Sequence, residues 1–381
     1  PYSELAMVDF NRVWVNGAYE EYTDENGIVV RKWDKDNQGN DLKPSPIEQP
    51  EWCTHGLYDT NGYISGEMSI YLEAGQHTLT LLSMLLRSIT LSNHSRPAAY
   101  ADVKAAGDAA GHQDATGVSV RFEAENAVKT SSQMLYPVQD QSSAVVYPMS
   151  ARYLLNNSIS SWKNAGQWIE WAFEVPQDGY YEISMVDKQN FVRGIDVYRK
   201  IMIDGEVPFA EFNAQPFSYT QTWRIETLSD EDGNAYRVYL TAGKHTLRME
   251  VVLGDMANII AQVQDCVQQL NNIYRQVIYI TGVAPDQYRD YQLTASLPKL
   301  EGELRAVQAD IDSAIAALEK TAGNDSDKLT VLRTMSDQLD ELIEDQERFT
   351  EVLSSFKTNV RACGNWITQV LAQPLQVDRF Y

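Results

Sequence analysis

Two carboxylates lie two positions apart in the segment VSVRFEAENA, where Glu123 and Glu125 alternate with Phe122 and Ala124. Side chains two positions apart in a strand point to the same face, so this spacing would place the two carboxylates side by side. Neighbouring carboxylates either repel each other or hold a hard cation such as calcium, which prefers oxygen ligands. A solvated strand face with Lys or Arg nearby is the alternative interpretation.

A second set of side chains has the types that sugar recognition requires. A pyranose has one apolar face and a rim of hydroxyls, so its sites combine an aromatic platform with planar hydrogen-bonding groups. Residues of these types in predicted loops are Tyr153, Trp162, Asn190, Arg193 and Trp223. The alternatives are plain packing for Trp162 and a structural ion pair for Arg193, and we expect such an ion pair at Arg199 as well. We therefore predict these five as candidate ligand contacts.

The remaining composition indicates a binding or structural protein. The sequence contains no G-x-S-x-G, H-E-x-x-H, Walker or dinucleotide-binding glycine motif, so we expect no enzymatic activity. A net charge of −22 over 381 residues leaves no basic surplus for binding phosphate backbones, which argues against a nucleic-acid partner. No run of eighteen apolar residues is present, so we expect no transmembrane segment.

The elements that position these side chains begin with a duplicated β pattern. Residues 236–252 alternate apolar and polar side chains on both sides of Ala242-Gly243-Lys244, which predicts two strands joined as a hairpin. Residues 68–82 repeat this pattern, and His77 and His245 occupy the same position in the two copies. We expect a structural hydrogen bond at both histidines. One β module is therefore predicted twice, and the first copy lacks its early strands.

Composition and periodicity divide the chain into four predicted segments. Residues 1–91 form a partial jelly-roll module A, and 92–117 form a linker with one short helix over Ala98–Ala106. Module B, residues 118–254, has short alternating strands separated by turns about every ten residues, as in an antiparallel sandwich or jelly roll. Residues 255–381 follow as a helical segment.

The helical segment begins at Asp255, where the apolar period changes from 2 to 3.6. Four amphipathic stripes follow, separated by breaks at Gly282, Pro298 and Gly323, which favours an antiparallel helical bundle over one long coiled coil. Cys266 and Cys363 fall on these stripes, so we expect buried free thiols. The predicted fold class is therefore antiparallel β-sandwich modules followed by an all-α bundle.

The order FEAENA, GQWIEWAFEVPQDGYYEISM, RKIMIDG and YLTAGKHTLRMEV resembles carbohydrate-binding modules of the galactose-binding-like jelly-roll class. The resemblance implies a structural calcium held by acidic residues of the first strand and near the final strand, which here are Glu123, Glu125 and Asp255. It also implies ligand contacts in the loop after the strand Tyr181–Val186, where Asn190 lies.

A second resemblance covers the whole chain. The segments QNFVRG, IDGEVPF, NNIYRQVIYITG and YRDY are similar to the N-terminal region of large extracellular solute-binding proteins of Gram-positive carbohydrate ABC transporters. This resemblance implies a cell-surface location, lipoprotein anchoring of the full-length protein, and transporter membrane components as partners. We expect the solute-binding domain proper to lie outside residues 1–381.

These observations favour a non-catalytic segment that binds an oligosaccharide or cell-wall glycan. The alternative is a structural spacer or protein–protein assembly region without a sugar site. Burial of the loop aromatics against the bundle would favour that alternative.

Overall fold

The computed structural model describes residues 12–17, 20–23, 29–52, 56–57, 59, 62–63, 71–78, 86–91, 96–286, 288–322 and 326–381. Within these residues, antiparallel β-structure comes first and helices follow, which confirms the predicted fold class. The longest strands lie in the second part of the sandwich, over residues 168–175, 197–203 and 243–252.

The first eight strands in the described residues each have two to four residues. They are β1 (Trp14–Asn16), β2 (Glu20–Thr23), β3 (Val29–Lys32), β4 (Pro46–Glu48), β5 (Phe122–Glu123), β6 (Lys129–Thr130), β7 (Pro137–Gln139) and β8 (Asn156–Ile159). The later strands are β9 (Trp168–Val175), β10 (Gly179–Glu182), β11 (Ser184–Lys188), β12 (Val197–Ile203), β13 (Gln215–Phe217), β14 (Arg224–Thr227), β15 (Arg237–Leu240), β16 (Gly243–Val252) and β17 (Gln376–Phe380).

Two antiparallel sheets face each other and form the sandwich. One has the strand order β13-β12-β16-β9-β6-β1-β4, and the other has the order β14-β11-β17-β8-β7 with β5 paired to β17. The inward positions of both sheets supply one apolar core, and its largest members include Trp162, Trp171 and Phe380. The alternation predicted for residues 167–175 and 179–186 is only partial, because Trp168–Trp171 and Met185–Val186 are buried at consecutive positions, as in strands covered on both faces.

Of the described strands of the predicted module A, β1 and β4 belong to the same sheet as module B, whereas β2 and β3 form a separate two-stranded sheet. β1 pairs with β4 on one side and with β6 on the other, where Trp14 lies opposite Thr130. Trp33 is buried as well. Of the repeated segment 68–82, only residues 71–78 are described, and they form no strand. The other residues of that repeat lie outside the described part of the chain.

The predicted hairpin over residues 236–252 is wrong, because its two strands belong to different sheets. β15 pairs with β10, whereas β16 pairs with β9 and β12. Alternation identifies strands but says nothing about which strands pair. The histidines do take the expected structural role: Nε2 of His245 bonds the carbonyl of Thr241 at 2.7 Å, and Nε2 of His77 bonds that of Glu73 at 2.7 Å.

The predicted linker contains helix α1 (Tyr100–Ala109), which is docked on the sandwich. The Tyr100 amide donates to Oε2 of Glu211 at 2.9 Å, and the Tyr100 hydroxyl accepts from the Arg237 amide at 3.1 Å. Its ring packs edge-on against Phe209 and Tyr236, with centroids 4.9 Å away in both pairs. These contacts fix the N-terminal turn of α1.

The helices after residue 255 form an antiparallel four-helix arrangement with one short extra helix. They are α2 (Met256–Thr281), α3 (Leu293–Ser296), α4 (Leu300–Ala322), α5 (Asp327–Glu344) and α6 (Phe349–Leu371). α2 packs against α4 and α6, and α5 packs against the same two helices. The predicted stripes form the bundle core, and Cys266 and Cys363 are buried free thiols as expected. No helix in the described ranges is long and apolar enough to cross a membrane.

The bundle is inserted into the sandwich. We expected it to extend from 255 to 381, but the helices end at Leu371 and the chain returns as β17, which pairs with β11, β8 and β5. The connection from β16 of the sandwich to α2 of the bundle is tightly packed. Gly254 has φ +53°, and a Cβ there would lie 2.4 Å from the Tyr198 ring, so only glycine fits between β16 and α2.

Arg199, next to Tyr198 on β12, joins the sandwich to the bundle. Its guanidinium is fully buried, and it donates to the carbonyls of Tyr198 (2.9 Å), Trp162 (3.0 Å) and Gln373 (2.7 Å). Gln373, just beyond α6, accepts from the Tyr198 amide through Oε1 at 3.0 Å. The bonds of Arg199 within the described residues therefore go to neutral carbonyls, and the expected ion pair is not found there.

We predict that Arg199→Met lowers the free energy of unfolding by about 3 kcal/mol, because three buried carbonyls lose a charged donor at about 1–3 kcal/mol each while burial of a charge is relieved. Urea unfolding followed by tryptophan fluorescence and circular dichroism measures this. Arg193→Met is the matched control, since Arg193 is exposed, and should change stability by less than about 0.5 kcal/mol. Equal effects of the two variants would contradict the assigned role.

Candidate functional site

Trp162 does not contact solvent. The ring is 0% exposed, its Nε1 donates to the Gln167 carbonyl at 3.0 Å, and the Arg199 guanidinium lies 4.2 Å from the ring centroid. The loop that carries it folds back over the sandwich core, because Oε1 of Gln167 accepts the amides of Lys163 and Asn164 at 3.0 Å. The prediction of a ligand contact at Trp162 is therefore wrong.

The other two predicted aromatics, Trp223 and Tyr153, are buried and half-buried. Trp223 is 6% exposed, its Nε1 donates to Oδ2 of Asp140 at 3.3 Å, and the Lys188 ammonium covers one face at 4.7 Å from the centroid. Tyr153 is half-buried, with the Arg152 guanidinium 5.0 Å from its ring centroid. Because Trp162 is buried and Trp223 nearly so, the three predicted rings do not form one open aromatic platform.

Asn190 and Arg193 are exposed, and both lie on one rigid loop, residues 189–194. The loop is closed by the fully buried side chain of Gln189, whose Oε1 accepts the amides of Phe191 (3.2 Å) and Val192 (3.1 Å). Its Nε2 donates to the carbonyls of Val192 (3.0 Å) and Ile195 (3.3 Å). One side chain therefore holds the loop conformation from within.

Sequence reasoning missed Phe191, which is 65% exposed between Asn190 and Arg193. We call these three residues the loop surface. The neighbouring Val192 and Ile195 point the other way and belong to the bundle core. Period-two reasoning fails in a loop, so nothing in the sequence separated the exposed Phe191 from the buried Val192.

An ion pair at Lys188, the residue that precedes this loop, stabilises its conformation. The Lys188 ammonium lies 2.7 Å from Oδ2 of Asp140 and 3.3 Å from the Ser142 hydroxyl, in a nearly buried setting. Burial alone would raise the pKa of Asp140, but the hydrogen bonds from Lys188 and Ser142 outweigh it and lower that pKa. The Thr220 amide also donates to the Gln189 carbonyl at 2.8 Å. The loop surface is therefore supported by the nearly buried ion pair between Lys188 and Asp140.

Glu123 and Glu125 are both buried, although they do not share a strand. Glu123 ends β5, and Glu125 lies in a 3-10 turn over Ala124–Asn126. Oε1 of Glu123 accepts from Arg121 at 2.6 Å, but Oε2 of each glutamate is buried with no hydrogen-bond partner. Burial raises the pKa of Glu123 to about 7, and burial together with the charge of Glu123 raises that of Glu125 well above its ordinary value.

Asp255 is not part of this carboxylate pair. It is exposed at the start of α2, and its charge acts on Asp196 and Tyr198. The acidic residue that acts on both glutamates is Asp378 of β17, which is itself fully buried and has its pKa raised to about 6 by burial. The prediction of Asp255 is therefore wrong, because the last strand of the sandwich comes after the bundle.

Two orphaned carboxylate oxygens fit the chemistry of a hard cation, which would neutralise them. No group of three or more His, Cys, Asp or Glu side chains in the described ranges is placed to hold a metal ion. Any cation at Glu123 and Glu125 would therefore draw further ligands from other oxygen donors.

We predict that, in the presence of a metal chelator, the free energy of unfolding decreases as pH rises from 4.5 to about 7. The reason is that the folded state holds protons on Glu123 that the unfolded state has lost. The loss is on the order of 3 kcal/mol, at about 1.4 kcal/mol per pKa unit. Glu123→Gln, which removes this titrating group, should flatten the slope, and the exposed Glu344→Gln should not. Melting temperatures across this pH range test it, and identical slopes in all three proteins would contradict it.

Comparison with known proteins adds one family match. Residues 258–374 match the model of the bacterial solute-binding protein four-helix bundle domain, which is about a third of the chain. The comparison with curated proteins gave no match.

Several solved structures resemble parts of the chain. A cycloisomaltooligosaccharide glucanotransferase of Paenibacillus sp., complexed with cycloisomaltoheptaose, is 20% identical with a TM-score of 0.28, over 41% of this chain and 20% of that chain. The family 35 carbohydrate binding module of Clostridium thermocellum is 16% identical with a TM-score of 0.26, over 35% and 88%. A module named CBM35 from Paenibacillus barcinonensis is 17% identical with a TM-score of 0.24, over 35% and 88%. Similarity at this level assigns no function.

Proposed function

We propose that this chain is a non-catalytic, glycan-binding segment of an extracellular solute-binding protein. The observation that carries the proposal is the loop surface: an exposed aromatic ring, Phe191, flanked by an amide and a guanidinium on a loop that Gln189 holds rigid. A ring and two planar polar groups are what a pyranose requires. Preorganisation lowers the entropy that binding costs.

The match of residues 258–374 to a solute-binding protein bundle supports the wider context. In that context, the segment would hold oligosaccharide or cell-wall glycan at the surface of a Gram-positive cell, close to the membrane components of a carbohydrate ABC transporter. The full-length protein would be anchored there as a lipoprotein. The pattern of exposed Asn190, Phe191 and Arg193 contains no acid–base pair, in keeping with a binding role.

We predict that Phe191→Ala weakens glycan binding at least tenfold, since it removes the only ring of the loop surface, while leaving stability unchanged. A glycan array identifies the ligand and calorimetric titration measures the affinity. Tyr279→Ala is the control, because Tyr279 is also an exposed aromatic (92%) but lies on α2 of the bundle. Absence of binding to any poly- or oligosaccharide would refute the proposal.

A rigid spacer or assembly role is the second candidate, and the burial of Trp162 and Trp223 favours it. Val192 and Ile195 of the loop also enter the bundle core, so sandwich and bundle form one continuous body there. A spacer needs this rigidity and no sugar site. Wild-type protein that binds no glycan but captures a transporter component would support it.

Calcium at Glu123 and Glu125 is proposed as a structural ion, since each glutamate has a buried oxygen without a partner. We predict that calcium stabilises the protein above pH 7, where Glu123 is otherwise ionised and each glutamate keeps one buried oxygen without a partner, by about 2.7 kcal/mol at a hundredfold excess over Kd, and that it raises the melting temperature accordingly. Glu125→Gln should abolish the shift, and magnesium, with its stricter geometry, should give less. An equal calcium shift in wild type and Glu125→Gln would refute the site.

A further inference from the structure

A concave site on the sandwich shares no residue with the loop surface or the carboxylate pair. It lies between α1, the segment that follows it, and the two-stranded sheet β10–β15. Its volume is about 240 Å³. The residues that line it are Lys104, Asp108, His112, Gln113, Asp114, Tyr180 and Arg237. We call it the α1 cleft.

The walls of the α1 cleft are held by main-chain bonds. The Tyr180 amide donates to the Gln113 carbonyl at 3.0 Å, and the Ala115 amide donates to the Tyr180 carbonyl at 3.2 Å. Gly107 lets α1 approach the sheet closely, because a Cβ there would lie 2.1 Å from the Tyr180 hydroxyl. Glycine inside a helix costs about 1 kcal/mol relative to alanine, so its presence here is explained by this close approach.

The charges of the α1 cleft balance one another. Lys104 lies 2.6 Å from Oδ1 of Asp108, and Arg237 lies 3.1 Å from Oδ2 of Asp114 and 3.0 Å from Oε1 of Glu182. Two cations thus face two lining carboxylates. The cleft has no surplus charge to attract a small ion, but its paired carboxylates and guanidinium present donors and acceptors in fixed orientations. This lining suits an uncharged ligand with many hydroxyls.

Two further observations point to a ligand of that kind. Tyr180 is 7% exposed, and its hydroxyl has no hydrogen-bond partner in the described part of the chain, which is unfavourable for a buried phenol. His112 lies flat on Tyr239, with ring centroids 3.7 Å apart and planes at 14°, so the wall includes an immobilised ring. A volume below about 300 Å³ is smaller than most drug-sized sites, which limits the ligand to one sugar unit.

We propose that the α1 cleft binds a single neutral sugar unit, as a site separate from the loop surface. The Tyr180 hydroxyl and the side chains of Gln113, Asp114 and Arg237 would bond its hydroxyl groups. With two sites on one rigid sandwich, a branched or repeating glycan could be held at both, which raises the apparent affinity without new contacts.

The test uses the full 381-residue chain and methyl glycosides of glucose, galactose, mannose and xylose as probes, with methyl glucuronide and inorganic phosphate as charged comparisons. Affinity is measured by calorimetry, and the position of binding by amide chemical-shift changes. We expect a neutral glycoside to shift amides of residues 104–114 and 180. Tyr180→Phe, which keeps the ring, should weaken binding about fivefold, the value of one hydrogen bond, and so should Gln113→Ala.

Tyr181→Phe is the matched control, because the Tyr181 hydroxyl bonds the Gln177 carbonyl at 2.7 Å outside the α1 cleft. Its affinity should equal that of wild type. No shift with any neutral probe, stronger binding of phosphate or glucuronide, or equal affinity in Tyr180→Phe and Tyr181→Phe would each overturn the proposal. Shifts confined to residues 189–194 would overturn it too, while leaving the loop surface supported.

Discussion

The buried guanidinium of Arg199 is the interaction on which the arrangement of sandwich and bundle depends. It reaches the Trp162 loop, its own strand β12, and Gln373 just after the last helix, so three distant parts of the chain share one rigid fork of donors. Burial lowers its pKa to about 9, which leaves it charged at neutral pH. A buried cation that is bonded to neutral carbonyls, and whose Nε already has no hydrogen-bond partner in the described residues, tolerates little displacement, because each lost bond leaves a further unpaired group.

The loop surface derives its order from this junction. The same loop that exposes Phe191 sends Val192 and Ile195 into the bundle core, and Gln189 fixes the loop between those two environments. The sandwich alone would leave these apolar side chains uncovered. Insertion of the bundle between β16 and β17 therefore does more than attach a domain, since it completes the support of an exposed aromatic residue.

Features that depend on local sequence pattern could be predicted, whereas contacts between residues distant in the sequence could not. Helix stripes such as Leu329 and Leu332, and the buried thiols, follow from spacing alone, and so does the exposure of Asn190 in a loop. The distant carboxylate that acts on Glu123 could not be found in this way, because Asp378 lies more than two hundred residues away, beyond an inserted domain. Trp162 was misassigned for a related reason: a loop position does not reveal that the loop folds back onto Arg199.

The two candidate binding sites differ in what supports them, and this difference has a consequence for the whole molecule. The loop surface is braced by the bundle, whereas the α1 cleft is braced by Tyr100, Gly107 and the β10–β15 pair, all within the sandwich half. A force or partner that shifts the bundle would therefore disturb the loop surface first. The α1 cleft would keep its shape, because the contacts that hold it lie outside the Arg199 junction. Binding at the α1 cleft and binding at the loop surface can therefore be disturbed separately, although both sites belong to one continuous fold.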